Sequence, residues 1–354
     1  MATSDGYPTP ILVSYMFFYS IVFILSVVGN VIVLCDCYRT IKRCGQSSIK
    51  WLLANLAFAD LLFTLLSILD AINSLWKWVG GTVSCKLQGF LIEACYTASI
   101  MTLVVITYER RRAVITPFSI KTSASSSTYR KLIAVWITSL VIGSPLLYAY
   151  SIEVETKGSL LCTNLSFGDL GRQVYYSIHS VCIFIVPLTY MIYAQKSIFL
   201  TLSSRNLLTK NDFTTVSVHR HRKVAKTLAA LSFAFTVCWA PFIIVRELIY
   251  FHIADEGYQW RACQLLIFLN TALDPVLYGL YGDNVKKLYS RFFKNTRRYR
   301  TFGKEKVRTS KSIKLSSALR VHSFSVLCKI DQEGPHSSEE QTGCNSHIST
   351  VTQL

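Results

Sequence analysis

The sequence predicts an all-α membrane protein, a seven-transmembrane helix bundle followed by a short amphipathic helix. The composition indicates a membrane protein, because 51% of the 354 residues are hydrophobic and only 16% are charged, which is too apolar for a soluble domain of this length. The number of helices follows from apolar windows of roughly 20 residues, the length that crosses a bilayer. The seven windows are 11–38, 50–75, 85–109, 132–151, 174–200, 226–251 and 262–281.

The distribution of basic residues predicts the orientation in the membrane. Of the 37 Lys and Arg residues, 31 lie in or beside segments 39–50, 110–131, 196–226 and 286–329, and six lie on the other side. Because cytoplasmic loops are enriched in Lys and Arg, we expect an extracellular N-terminus and a cytoplasmic C-terminus at the plasma membrane. The net charge of +17 then faces anionic lipids or an acidic partner, and nucleic acid is not needed to explain it.

The chain divides into four segments with different expected structures. After the seventh window, apolar residues recur at the spacing of one helix face, which predicts an amphipathic helix on the inner membrane surface. The tail that follows is basic, then rich in Ser and Thr and poor in aromatic residues, which predicts disorder. The segments are the extracellular N-terminus 1–10, the transmembrane domain 11–281, the amphipathic helix 282–294 and the cytoplasmic tail 295–354.

The second outer loop has the features of an extracellular segment. Cys85 begins the third window and Cys162 lies in this loop, both on the oxidising side of the membrane, where a disulfide is stable. Residues 151–162 alternate polar and apolar side chains around a central Lys-Gly, which predicts a hairpin. Asn164 begins an N-glycosylation sequon, Asn-Leu-Ser. We therefore expect a disulfide-anchored hairpin that carries a glycan.

Four polar residues in the membrane windows predict a buried site. Asp60, Ser99, Asn270 and Asp274 lie in the second, third and seventh windows, and each costs several kcal/mol there. Unrelated hydrogen bonds between helices are the simplest explanation. Two carboxylates, however, are hard to leave uncompensated in a low dielectric, so they are expected to share a proton or a cation. Our hypothesis is an allosteric Na⁺ ion held by these oxygens, the one cofactor that the sequence predicts.

Prolines and aromatic residues in the windows predict hinges. A proline inside a helix removes a backbone hydrogen bond and kinks the helix. Phe235 and Trp239 lie one turn apart just before a kink, so contact with a ligand there could move the inner half of the sixth helix; plain aromatic packing is the alternative. The four prolines are Pro145, Pro187, Pro241 and Pro275.

Eight short patterns, in order along the chain, resemble one receptor family. They are Gly29-Asn30, "LANLAFAD" ending at Asp60, Trp78 and Gly81 before Cys85, Glu109-Arg110, Trp136, Pro187, "FTVCWAPF" and "NTALDPVLY" ending at Tyr278. Together they resemble the rhodopsin-like (class A) G-protein-coupled receptors over about residues 11–294.

The resemblance implies a switch at the cytoplasmic face. In that family Glu109 would hold Arg110 in the resting state, and Arg110 would contact a heterotrimeric G protein after the sixth helix moves outward. The residues to which the resemblance assigns this coupling are Glu109, Arg110, Phe235, Trp239, Pro241, Pro275 and Tyr278.

The chain departs from the family pattern at four positions. Arg111 stands where an aromatic residue is usual, Asp274 replaces the usual Asn, and Gln195 stands where an activating Tyr is expected. His221 stands where some members carry an acid that locks the motif arginine. These changes predict that the contacts holding Arg110 in the resting state are weaker than usual, and therefore that basal activity is higher.

The outer half of the bundle is expected to bind a ligand other than retinal or a monoamine. Phe268 occupies the position of the retinal-binding lysine of opsins. Ile92 occupies the position of the aspartate that binds the ligand in amine receptors, which disfavours a monoamine ligand. The neighbouring acid, Glu93, means that an amine ligand is not excluded. Acidic residues near the entrance suit a cationic peptide. The predicted ligand contacts are Asp70, Glu93, Glu247, Trp239 and Gln264.

The chain also resembles neuropeptide receptors, particularly the RFamide, neuropeptide FF and orexin-like group. An Arg-Phe-amide end would place its guanidinium on a carboxylate and its ring near Trp239. A receptor for an amine or lipid is the alternative, and a small transporter is a further one, although no internal repeat is evident. No nucleophile elbow or metal-spaced cluster indicates an enzyme.

The cytoplasmic face offers sites for several partners. The basic run 219–227 and Arg110 suit an acidic helix end of a G protein inserted into a groove. Serines and threonines of the tail are candidate phosphorylation sites for arrestin binding. The C-terminal "TQL" matches the form that PDZ domains bind, and part of the basic run would contact membrane lipids.

Overall fold

Seven long helices and one two-stranded hairpin form the described part of the chain. The structure, a computed structural model, describes residues 9–44, 48–75, 78–116, 124–154, 160–208, 212–255 and 257–281. The helices are α1 (Thr9–Cys44), α2 (Ser48–Leu75), α3 (Thr82–Ile115), α4 (Ala124–Gly143), α5 (the continuous run of Gly168–His179, Ser180–Ile185 and Val186–Leu208), α6 (Asp212–Tyr250) and α7 (Tyr258–Tyr281). The predicted all-α bundle is confirmed, whereas the amphipathic helix 282–294 and the tail 295–354 lie outside the described residues.

All helices except α4 are longer than the apolar windows that predicted them, and α4 (Ala124–Gly143) ends before its window, 132–151, does. Six of them, α1 to α6, contain a run that is long and apolar enough to cross a membrane. The apolar window of α7, 262–281, contains the polar residues Asn270 and Asp274, which lower its mean hydropathy. Helices such as α3 extend past their windows because hydropathy marks only the part in hydrocarbon, while polar turns continue the helix beyond it.

Prolines shape three of the helices in different ways. Pro241 and Pro275 lie inside the continuous helices α6 and α7, as predicted. In α5, a π-helical segment precedes Pro187, which is a common way to absorb a residue that cannot donate a backbone hydrogen bond. Pro145 instead lies in the turn where α4 ends, before the single helical turn Leu146–Ala149.

α3 lies at the centre of the bundle. It packs against α2, α4 and α5 along its length, contacts α6, and meets the hairpin at its N-terminal end. α1 closes the other side by packing against α2 and α7. The main core joins side chains of α2, α3, α5, α6 and α7, among them Phe63, Tyr96, Phe235 and Trp239. Phe235 has no exposed surface, so its ring is fully enclosed by this core beside the predicted hinge.

The hairpin covers one end of the bundle, which we call the hairpin end. Strands β1 (Ser151–Val154) and β2 (Leu160–Thr163) pair antiparallel, so the predicted hairpin is confirmed, although residues 155–159 at its turn lie outside the described residues. A disulfide joins Cys85 to Cys162, as predicted. Asn73 of α2 adds two hydrogen bonds of 3.0 Å to the backbone of Cys162. The hairpin is thus fixed to both α2 and α3.

Candidate functional site

A cavity of about 140 Å³ opens at the hairpin end, between α1, α2, α3, α6 and α7. Three of the five predicted ligand contacts, Asp70, Glu93 and Gln264, line it. Typical pockets for a whole small ligand measure about 300–1,000 Å³. The cavity therefore accommodates one or two side chains at the end of a longer ligand.

Aromatic rings form much of the cavity wall. Tyr19 stacks on Phe268 with ring centroids 4.7 Å apart, and Phe242 stacks on Trp260 at 5.0 Å. Tyr150, past the end of α4, also lines the cavity and is half-buried. Its phenol hydroxyl can donate a hydrogen bond at neutral pH. The wall suits an aromatic or aliphatic side chain with a few polar contacts.

Glu93 is already engaged within the protein. Its Oε1 accepts a hydrogen bond from the Tyr96 hydroxyl and lies 2.7 Å from Nε2 of His179. The side chains of Glu93 and His179 are only 5% and 2% exposed. A buried carboxylate needs such partners, so this network, rather than a ligand, accounts for its placement. Whether a ligand also contacts Glu93 remains a prediction.

Arg246 of α6 also lines the cavity, and the sequence analysis did not assign it there. It is 3% exposed, and its Nη2 donates to Ser180 Oγ at 3.0 Å. The same nitrogen lies 3.4 Å from Nδ1 of His179, and the guanidinium stands 4.5 Å above the Tyr176 ring. A signal was available, because Arg246 follows Trp239 by seven residues, two helical turns, and so shares its inward face.

Glu247 points away from the cavity. Its carboxylate accepts hydrogen bonds from Ser177 at 3.1 Å and Ser180 at 2.6 Å, and its Oε1 lies 3.9 Å from Arg246. Side chains at successive helix positions face different directions, which is why Arg246 and Glu247 have different surroundings. The structure therefore places this predicted contact at the α5–α6 boundary.

Trp239 lies below the cavity rather than in its wall. Its ring is 4.9 Å from that of Tyr96 and 6.1 Å from that of Phe235. Tyr96 lines the cavity, and it also lines a second, smaller cavity beneath. A ligand would therefore act on Trp239 through Tyr96, and the predicted direct contact with Trp239 remains a prediction.

Three of the four residues of the predicted sodium site, Asp60, Ser99 and Asn270, line the smaller cavity, and Asp274 lies next to Asp60. Ser99 donates to Asp60 Oδ1 at 2.7 Å, and the carboxyl groups of Asp60 and Asp274 interact. The cavity holds about 10 Å³, roughly the space of one water molecule. Four buried oxygens lack a hydrogen-bond partner, namely Asp60 Oδ2, Asn270 Oδ1, and Oδ1 and Oδ2 of Asp274. Oxygen ligands of this kind suit a small hard cation, so the residues fit the predicted ion.

At the opposite end, the switch residues have partners that the sequence did not indicate. Glu109 pairs with Lys131 of α4. Arg111 donates from Nη2 to the Tyr193 hydroxyl at 3.1 Å and stands over its ring. Gln195 Nε2 donates to the Leu228 carbonyl at 3.0 Å. The departures at 111 and 195 thus connect α5 to its neighbours α3 and α6.

Gln195 makes a second contact with α6. Its Nε2 lies 2.5 Å from Ser232 Oγ, so one amide group engages two consecutive turns of α6. Together with the bond to the Leu228 carbonyl, this contact is what we call the Gln195 clasp.

Asn164, the predicted glycosylation site, is half-buried. Its Nδ2 donates to the hydroxyls of Tyr176 and Tyr250, each at 3.0 Å. These bonds connect the segment after β2 to α5 and α6. Glycosylation at Asn164 remains a prediction.

The bundle, the disulfide-anchored hairpin and the cavity beneath it together define a seven-helix membrane receptor. The sequence profile of the 7 transmembrane receptor (rhodopsin family) matches residues 29–278, and the chain belongs to this family. Its members are receptors rather than enzymes.

Similar proteins include three receptors. A QRFP-like peptide receptor of Branchiostoma floridae is 27% identical over 285 residues, covering 76% of this chain and 74% of that protein. Neurotensin receptor type 1 of Rattus norvegicus is 26% identical over 312 residues, covering 77% and 73%. Neuropeptide Y receptor type 6 of Oryctolagus cuniculus is 25% identical over 301 residues, covering 79% and 80%.

Proposed function

We propose that this chain is a plasma-membrane receptor that binds a basic peptide at the hairpin end and activates a heterotrimeric G protein at the opposite end. Family membership and the peptide receptors among its relatives support this function. They do not favour the amine, lipid or transporter alternatives. In this orientation the N-terminus and the hairpin end are extracellular, as the distribution of basic residues predicts.

The position of Asp70 carries the proposal of a basic ligand. Of the two acidic residues in the cavity wall, Glu93 is committed to His179 and Tyr96. Asp70 lies near the outer end of α2, where the charge of Arg261 of α7 acts on it and the amide of Gln88 forms a hydrogen bond with it, so a ligand cation would compete with Arg261. A ligand guanidinium can form a paired, charge-assisted contact with such a carboxylate. We therefore assign the cationic group of the peptide to Asp70, and an amidated Arg-Phe end remains our preferred form.

The test is a comparison of paired peptides on paired variants. Cells expressing the chain receive a pool of synthetic tetrapeptides ending in Arg-Phe-amide, and a second pool in which citrulline replaces Arg. Citrulline keeps the shape of Arg but removes its charge. On the unmodified receptor we expect the Arg pool to be at least about tenfold more potent, measured by calcium and cyclic AMP. In Asp70→Asn this preference should disappear.

Glu153→Gln is the matched control, because Glu153 is an acidic residue of the hairpin that does not line the cavity. It should keep the preference for Arg. An equal loss for both pools in Asp70→Asn would contradict the assignment, and silence of the surface-expressed receptor to both pools would contradict the ligand class.

Activation requires α6 to separate from its neighbours at the cytoplasmic end. The ligand would press on Tyr96, which contacts Trp239 two residues before Pro241. Movement of Trp239 would bend α6 at this proline and break the Gln195 clasp. Arg110 and the basic run 219–227 would then receive the end of a G-protein helix.

Further partners follow from the sequence alone. Na⁺ at Asp60, Ser99, Asn270 and Asp274 would favour the resting state, because it fills the cavity that a rearranged core would collapse. Phosphorylated tail residues would bind arrestin, and the C-terminal "TQL" would bind a PDZ domain. The basic cytoplasmic residues would contact anionic lipids.

A further inference from the structure

His179 of α5 lies at the centre of a buried polar cluster that joins three helices. Its Nε2 lies 2.7 Å from Oε1 of Glu93 on α3, and its Nδ1 lies 3.4 Å from Nη2 of Arg246 on α6. The side chains of these three residues are only 2–5% exposed. The π-helical segment of α5 begins at the next residue, Ser180, and such segments often occur at functional sites. The position of His179 thus indicates a role beyond packing.

The contact between His179 and Arg246 depends on the protonation state of the imidazole. A guanidinium only donates hydrogen bonds, so Nδ1 of His179 can accept from Arg246 only while this nitrogen carries no proton. On the other side of the ring, Glu93 can accept from the Nε2–H group whether the ring is neutral or charged. One proton added at Nδ1 would therefore keep the contact between α3 and α5 and break this contact between α5 and α6.

The cluster contains a second acceptor for Arg246. Oε1 of Glu247 lies 3.9 Å from Arg246 Nη2, just beyond hydrogen-bond distance, and it accepts from Ser180. While His179 is neutral, two carboxylates face one guanidinium, so the cluster carries a net negative charge. Protonated His179 would pair with Glu93 and leave Arg246 to pair with Glu247. Each charge in the cluster would then have a partner of opposite sign, which a low dielectric favours.

Among the described residues, the remaining titratable groups that face His179 are three tyrosines. Two of them are Tyr96 on α3 and Tyr175 on α5, with ring centroids 5.6 and 6.1 Å from that of the imidazole. The third is Tyr176, which lies under the guanidinium of Arg246. Tyrosine, arginine and carboxylic acids ordinarily change charge outside the range of about pH 5 to 8, whereas histidine changes charge within it. A proton that enters the cluster in this range is therefore expected at His179.

We propose that His179 is a proton-binding site that controls the charge of the ligand cavity. Arg246 lines the cavity, whereas Glu247 lies at the α5–α6 boundary. A proton from water in the cavity binds Nδ1 of His179, and the guanidinium of Arg246 turns toward Glu247. The cavity wall thereby loses a positive charge that repels a cationic ligand, while Glu93 compensates the new charge of the imidazole. Mild acid is then expected to strengthen the binding of a basic peptide. The inference rests on the proposed function, since it concerns the same ligand in the same cavity.

The experiment compares peptide potency at two pH values. Cells expressing the receptor receive the Arg-Phe-amide pool at about pH 7.4 and at about pH 6.0, and calcium is recorded. We expect this pool to be at least about threefold more potent at the lower pH. The citrulline pool should change less, because it lacks the charge that Arg246 repels, and it corrects for titration of the peptide's amine. Protonation of Asp70 would have the opposite sign, since it removes the charge that binds the cation.

In His179→Gln, which keeps an amide donor for Glu93 but does not titrate, the pH dependence of the Arg pool should disappear. Glu247→Gln leaves His179 in place and removes the second partner of Arg246, so it should reduce the shift, and it serves if the first variant does not reach the cell surface. His252→Asn is the matched control. His252 is a 65% exposed histidine at the hairpin end, 3.7 Å from Asp169, and Asn tolerates its positive φ of 57°. This variant should keep the shift.

Several results would contradict the proton site and leave the proposed function standing, provided that Asp70→Asn still abolishes the preference for Arg over citrulline. They are an equal pH dependence of the two pools, a loss of potency of the Arg pool at the lower pH, an undiminished shift in His179→Gln or in Glu247→Gln, and a shift that disappears in His252→Asn. Silence of the surface-expressed receptor to every pool at both pH values would contradict the basic-peptide function as well.

Discussion

Single oxygen atoms decide what the centre of the bundle can bind. One oxygen of Asp60 accepts from Ser99, and the other is buried without a partner, as are both oxygens of Asp274. An ion at these oxygens would hold α2, α3 and α7 together. We therefore expect that raising NaCl from near zero to about 150 mM, with choline chloride keeping ionic strength constant, weakens agonist binding several-fold.

Asp60→Asn should abolish this sodium effect, as measured by displacement of a labelled agonist. Asp36→Asn is the control, because Asp36 is also an acidic membrane-helix residue but pairs with Lys50, at 2.6 Å. It should keep the effect. Unchanged sodium sensitivity in Asp60→Asn would count against the ion site.

The side-chain nitrogen of Asn164 is both the predicted attachment point of a glycan and a hydrogen-bond donor in the structure. As a sequon residue it would carry a glycan, which leaves the nitrogen one N–H, yet the structure uses it for bonds to both Tyr176 and Tyr250. Asn164→Ala and Ser166→Ala both destroy the sequon, but only the first removes these bonds, whereas the second removes one exposed bond, from Ser166 to Ser151. We expect Asn164→Ala to lower the melting temperature of the purified receptor by about 2–4 °C more than Ser166→Ala does. Equal melting temperatures of the two variants would show that the bonds to the tyrosines contribute nothing.

Residue-scale features were the least accessible to sequence reasoning. The acids Asp70 and Glu93 were recognised as polar residues of the outer half, but a sequence does not show which acid is paired. The partner of Glu93, His179, lies 86 positions further on in another helix and becomes its neighbour only when α3 packs against α5. Arg246 entered the sequence analysis only as one of the six basic residues on the outer side of the membrane.

Among the elements, α5 and α6 are joined by the Gln195 clasp. Gln195 stands where the family resemblance predicts Tyr, and the sequence alone suggested a weaker resting state. The two hydrogen bonds to Leu228 and Ser232 act in the opposite direction, since they hold α6 against α5. Gln195→Leu removes both bonds at similar volume. We expect it to raise basal signalling about three- to tenfold, measured as ligand-independent G-protein activation per receptor at the surface.

Gln173→Leu provides a control for a lost glutamine bond between the same helices. Gln173 donates to the Tyr250 carbonyl at 2.8 Å, but at the hairpin end. It should leave basal signalling unchanged. A basal signal that falls in Gln195→Leu would indicate that Gln195 supports the active state instead.

The elements themselves were predictable because their signals are local. A membrane helix is an apolar run, so all seven windows correspond to helices, and alternation around Lys-Gly correctly predicted the hairpin. The interruption at Pro145 and the π-helical segment before Pro187 depend on how neighbouring turns repair a missing backbone donor, and a proline in a sequence does not specify which repair is used.

At the scale of the whole molecule, the two cavities share the wall formed by Tyr96, Phe63 and Ile267. Ligand end and ion are therefore separated by one layer of side chains. Because packed cores change between discrete arrangements, a displacement of Tyr96 and Trp239 would affect both cavities together. This arrangement connects the binding step to the movement of α6.

That movement is the last prediction. α3 packs far more extensively on α4 than on α6, so α6 can separate from α3 while α4 stays in place. Spectroscopic labels at Thr116, just past α3, and at Lys226 of α6 are both exposed and report this separation. We expect their distance to increase by more than about 2 Å with an active peptide, or in Gln195→Leu. Labels at Thr116 and Arg130 of α4 are the control and should keep their distance. If the distance between Thr116 and Lys226 stays constant under conditions that activate the G protein, outward movement of α6 is not how this receptor signals.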